Sequence, residues 1–148
     1  MSNDTTLTTL ENILRENMEN ENAGKHHLQL LQSQLESKER ELEQAEKRAQ
    51  EAADQSEQAE KIYEDRLRYF NLKGHPRELR SAVDRLQGES HRAKAASEEV
   101  AKRAQFVRDL VQEAKRSVEE QKQIIKTLAE DQEKIRGHIK NAEQGNIS

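Results

Sequence analysis

The chain has 148 residues, 36% of them charged and only 32% hydrophobic, against roughly 25% and 45–50% in an ordinary globular chain. Two Phe, two Tyr and no Trp exclude a thick globular core and leave a thin seam between helices as what such a chain can bury. A net charge of −4 argues against a nucleic-acid binder, which carries a basic patch, and the lack of cysteine excludes disulfides and thiolate metal sites.

The first stretch, MSNDTTLTTL, has neither the basic region nor the apolar run of a signal peptide. No apolar run approaches the ~18 residues of a membrane span. The expectation is a soluble, intracellular protein of the cytoplasm. Residues 1–5 read as a disordered N-terminus, and Thr5 or Thr6 is placed to cap a helix over 6–72. Along that helix every seventh residue from Leu7 to Phe70 takes heptad position a, and every seventh from Leu10 to Arg66 takes position d. Most are Leu or Ala, whereas Glu21, Gly24, Lys38 and Arg66 suit a seam poorly. A sustained repeat averaging 3.5 residues implies a helix supercoiled left-handedly around a partner. Gly24 marks a possible break near 21–25, because a glycine inside a helix costs roughly 1 kcal/mol.

The stretch FNLKGHPREL, Phe70 to Leu79, holds the only proline. Gly74 suits a left-handed helix C-cap, and Pro76 suits the first turn of a new helix. His75 is pushed out of the helical region by the proline that follows it. Residues 73–76 therefore read as a turn, and 77–143 as a second helix. Its a positions include Val83, Val111, Val118, Ile125 and Ile139, and its d positions Leu79, Leu86, Val107, Leu128 and Ile135. The two registers do not join, because continuing the first would set a d position at Arg80, one residue past Leu79. At ~1.5 Å per residue each arm is roughly 100 Å long, and equal arms about a Gly–x–Pro turn argue for an αα-hairpin. Residues 144–148 read as a disordered C-terminus.

Folding the chain back so that Phe70 meets Leu79 pairs every a with a d. Leu42 then meets Val107, Leu14 meets Ile135, and the amides of Asn17 and Gln132 face each other, a layer able to fix register. Ala45 to Ala59 face Ser90 to Ala104, nearly all small, so close approach is expected there. The e positions agree with an antiparallel pair. Glu11, Glu39, Glu46 and Glu60 lie on the first helix, against Arg80, Lys94, Arg108, Lys115, Lys122 and Arg136 on the second. Glu11 falls beside Arg136 and Glu39 beside Arg108, with Lys25 against Lys122 as a mismatch. Residues 1–74 hold 10 basic and 16 acidic residues, and residues 75–148 hold 15 and 13.

The apolar residues left outside the seam are Ile13, Leu30, Ile62 and Tyr69 on the first helix and Phe106, Leu110 and Ile124 on the second. All fall at g or c positions, on one edge of an antiparallel pair, opposite the charged e edge. They are the candidate partner-binding residues, set against the bland alternative of scattered exposed apolar side chains. Catalytic chemistry has no foothold. The carboxylates lie on solvated faces, and no phosphate-loop, zinc-helix, nucleophile-elbow or dinucleotide motif occurs. His26 and His27 are adjacent and point apart, where helical metal sites prefer a spacing of four. Gly74, His75 and Pro76 read as turn residues. Nucleic acid is not expected, since glutamates cover the basic stripe of the second helix and no aromatics interleave for stacking. A membrane surface is not expected either, since the most amphipathic stretch, 5–22, has an acidic polar face.

These readings converge on an all-α fold: a long antiparallel two-helix coiled-coil hairpin that associates into a higher-order helical bundle. The expected function is non-enzymatic, a scaffold, spacer or adaptor binding its own copies or partner helices, with no cofactor. In length and topology the chain resembles the small coiled-coil hairpins of type III secretion stalk proteins. The alternative is accordingly a coiled-coil chaperone or export-apparatus stalk that binds client proteins.

Overall fold

The computed structural model describes Ser2–Gly145. It contains two α-helices, α1 (Ser2–Leu72) and α2 (Arg77–Glu143), and no strand among the described residues. The two pack against each other as an all-α helical hairpin. Neither helix contains a proline, and both are rich in Ala, Glu, Lys, Gln, Arg and Leu, which lose little on entering a helix.

α1 starts at Ser2, inside the segment that reads as disordered and ahead of the Thr5 or Thr6 cap. Asp4 lies in its first turn, where a negative charge suits the free N–H groups. The Thr9 hydroxyl donates to the Thr5 carbonyl at 2.9 Å, a bond made within a helix. After α2, the Gln144 N–H donates to the Lys140 carbonyl and the Gly145 N–H to the Ala142 carbonyl, both at 3.1 Å, with Gly145 at φ +72°. These two residues close the helix instead of continuing as disordered chain. Met1 and residues 146–148, the remainder of the two expected disordered ends, lie outside the described residues.

The turn between the helices is a Schellman motif. The His75 N–H donates to the Phe70 carbonyl at 3.0 Å, and the Gly74 N–H to the Asn71 carbonyl at 3.3 Å. Gly74 has φ +73°, which a glycine adopts without a Cβ penalty. His75 follows at φ +61°, a rarer choice for a side-chain-bearing residue. Its ring meets Phe70 edge-on, with centroids 5.0 Å apart, and its Nε2 lies 3.1 Å from Asn71 Oδ1 as the donor of that bond. The Pro76 carbonyl accepts from the Leu79 N–H at 3.0 Å and so opens α2.

The chain divides into two compact units. The turn-side unit, Ser37–Val111, is closed by small side chains. Ala45, Ala104 and Val107 form its buried cluster, with Leu42 and Ala49 packed against it. Val107 is its most buried large side chain, 2% exposed. Phe70 and Val83 are buried nearer the turn. The seam differs from the strict heptad at one place: Arg66 is exposed and Leu67 is half-buried in its stead. An α-helix drifts ~20° per heptad against a 3.5 repeat, so the neighbouring residue can take the seam, and an arginine gains by remaining hydrated.

The second unit, Met1–Glu36 with Gln112–Ser148, carries leucine and isoleucine in its seam together with two buried amides. Gln132, 4% exposed, donates from Nε2 to Asn17 Oδ1 at 3.2 Å. Gln121 donates from Nε2 to the Gly24 carbonyl at 3.1 Å. A Cβ on residue 24 would sit 3.1 Å from that nitrogen and 3.4 Å from Ile125 Cγ1. Gly24 is thus the hollow into which the Gln121 amide fits, and α1 passes through 21–25 unbroken.

Candidate functional site

Six of the seven candidate partner-binding residues keep large exposed apolar surfaces. In the unit of Met1–Glu36 and Gln112–Ser148 these are Ile13, Leu30 and Ile124, between 44% and 55% exposed. In the turn-side unit they are Ile62, Tyr69 and Phe106, between 45% and 53% exposed. Leu110 differs: it is half-buried, so part of its surface already belongs to the seam. Two further apolar side chains are exposed, Met18 at 43% and Leu72 at 78%. Met18 sits at an e position among charged neighbours, and Leu72 at a c position just before the turn. Reading the e and c positions for apolar as well as charged members finds both.

Each unit handles its charges locally. In the turn-side unit an ion pair crosses between the helices, Arg108 Nη2 to Glu46 Oε1 at 3.5 Å. It lies one heptad from the expected Glu39 partner, a small change for a long side chain whose exposed pairs are worth ~0–1 kcal/mol. In the other unit Arg136 turns to its own helix, 2.9 Å from Glu133, instead of to Glu11. The Lys25 and Lys122 mismatch is relieved in the same way, Lys25 pairing with Glu21 at 3.7 Å and Lys122 with Glu119 at 3.4 Å.

Two hollows mark the turn-side unit on the g-position edge. One is shallow, lined by Ile62, Asp65, Arg66 and Tyr69. Arg66 reaches it because Leu67 has taken the seam. Lys73 lies 5.7 Å above the Tyr69 ring. The other is a smaller but more enclosed groove of ≈ 110 Å³, with Ala45, Val100 and Val107 among its walls and Arg48 and Arg103 beside them. The Arg103 guanidinium lies 5.5 Å above the exposed Phe106 ring.

No cluster of three or more His, Asp or Glu able to hold a metal occurs among the described residues. His26 Nδ1 is engaged with the Asn22 carbonyl at 2.9 Å. Gly74, His75 and Pro76 are fully used in shaping the turn. No described helix is long and apolar enough to cross a membrane. Set against known families, curated proteins and solved structures, the chain matches no family model, no curated protein and no solved structure.

Proposed function

We propose that the chain is a non-enzymatic coiled-coil protein of the scaffold, spacer or adaptor kind, acting in the cytoplasm and binding its own copies or the helices of partners. The observation that carries this reading is the set of large apolar side chains left in water in a chain with so few of them. Ile13, Leu30 and Ile124 in one unit, and Ile62, Tyr69 and Phe106 in the other, are each more than two-fifths exposed. They occupy the g and c positions through which a third or fourth helix joins a bundle. Two helices bury only a single seam, rich in Ala, Ser and Val in the turn-side unit, so further helices add burial at ~25 cal/mol per Å².

Sedimentation equilibrium at tens of micromolar tests the self-association form of the reading. The chain is expected to form a defined oligomer, and the Ile13→Ser, Leu30→Ser, Ile124→Ser variant to become monomeric with its helical circular dichroism intact. A wild-type chain that stays monomeric throughout removes this form.

A further inference from the structure

We infer that the groove beside Arg48 and Arg103 is the docking site for an acidic amphipathic helix of a partner protein. The inference rests on the preceding reading only in that the chain binds helices. Four observations within the turn-side unit lead to it.

The groove is apolar at its base, where Ala45, Val100 and Val107 leave a hollow of ≈ 110 Å³ over the seam. That shape takes an aliphatic side chain from a helix laid along the edge, in the manner of helix-in-groove recognition. Phe106 stands beside it, 53% exposed, and extends the apolar surface along α2. Two arginines line the same groove, and among the described residues neither has a carboxylate within 4.0 Å. The one carboxylate on the groove, Glu41, lies 4.0 Å from Lys38. The Arg103 guanidinium lies over the Phe106 ring, 5.5 Å from its centroid, so the cation and the apolar surface adjoin.

Together these make an apolar hollow with two unanswered cations in a chain whose net charge is −4. Aromatic and arginine side chains in contact are also the residues in which binding hot spots are enriched. The complementary surface is a helix with aliphatic residues on one face and Asp or Glu flanking them. Each carboxylate would accept a bidentate bond from a guanidinium.

The test uses the full chain and two labelled helical peptides. Both carry leucine at a and d positions; one carries glutamate at e and g and the other lysine. Fluorescence anisotropy is expected to show the glutamate peptide binding at least tenfold more tightly, with its affinity falling as salt is raised. The Arg48→Glu, Arg103→Glu variant is expected to reverse the preference, which loss of folding cannot do. Phe106→Ala is expected to weaken the glutamate peptide severalfold. If the double variant loses helicity, Arg48→Gln with Arg103→Gln replaces it and is expected to abolish the preference.

Equal binding of the two peptides, or an unchanged preference in the charge-reversed variant, overturns the inference. So does loss of self-association in that variant without any peptide preference, which would make a second copy the occupant. Sedimentation of the same samples separates the two readings. A monomer that prefers the glutamate peptide leaves this inference standing and removes self-association. An oligomer with no preference does the reverse.

Discussion

In the turn-side unit the seam is closed by Ala45, Ala104 and Val107, and the Glu46–Arg108 ion pair crosses between the helices at its exposed edge. In the other unit two buried amides cross between the helices, Gln132 to Asn17 and Gln121 to the Gly24 carbonyl. The contrast separates two jobs that a coiled coil must do. Small side chains allow close approach but discriminate little between registers, because Ala against Ser looks much the same one heptad along. A buried amide discriminates more strongly: a slip of one heptad sets Asn17 against Ile125 or Ile139 and takes it away from Gln132. The second unit therefore specifies alignment, whereas the first leaves an open edge with a groove beside it.

The strongest way to break the contrast is to overfill the small-residue seam. Ala104, 3% exposed, touches Ala45 and Val107, so Ala104→Leu is expected to cost about 1–3 kcal/mol in urea unfolding at fixed protein concentration. Hydrogen exchange should place the loss in Ser37–Val111. A neutral result would mean that the close packing there is not a constraint.

The amide layer gives the next effect. Asn17→Ala leaves Gln132 without its cross-helix acceptor and is expected to cost about 1–2 kcal/mol. Asn17→Leu with Gln132→Leu is expected to regain that stability and lose alignment. Spin labels at Glu46 and Arg108, exposed positions that meet across the helices and should lie within roughly 10 Å in the otherwise unaltered chain, would then report a spread of distances. A single short distance in the double variant would show that register is held elsewhere.

The smallest effect compares two glycines. Gly137→Ala has nothing within 4 Å of the new Cβ and should gain about 0.5–1 kcal/mol from helix propensity alone. Gly24→Ala should gain less than half of that, because its Cβ would press the Gln121 amide at 3.1 Å. Equal gains in thermal melts would mean that the amide moves aside freely and that Gly24 is no fixed part of the layer.

Much of this was legible before the structure. Heptad spacing gave the two helices, the break between registers gave the turn, and folding one arm onto the other placed Asn17 against Gln132. These features rest on large, repeated energies: burial of Leu and Val, and the conformational demands of Gly74 and Pro76. What escaped the reading rests on small or local ones. The exchange of Arg66 for Leu67 depends on the gradual drift between 3.5 and 3.6 residues per turn. The choice of Glu46 over Glu39 by Arg108 is between exposed pairs of nearly equal worth. Gly24 looked like a weakness in one helix because its reason lies in the other, in the side chain of Gln121. The candidate partner-binding residues were legible as apolar misfits, but the groove beside them needed both helices in place, and Leu110 proved partly absorbed by the seam.

The amide layer also constrains how this chain can change length. The turn and the amide layer agree on which residue faces which: Asn17 and Gln132, 115 residues apart, obey the same count as Phe70 and Leu79. A heptad added to one arm alone, between the turn and the layer, would carry one amide past the other and set Asn17 against Ile139 or Ile125. Between the turn and the layer, growth or shortening keeps the amides paired only as a matched pair of sevens, one in each arm, so that a deletion there on one side of the turn selects for its mirror image on the other.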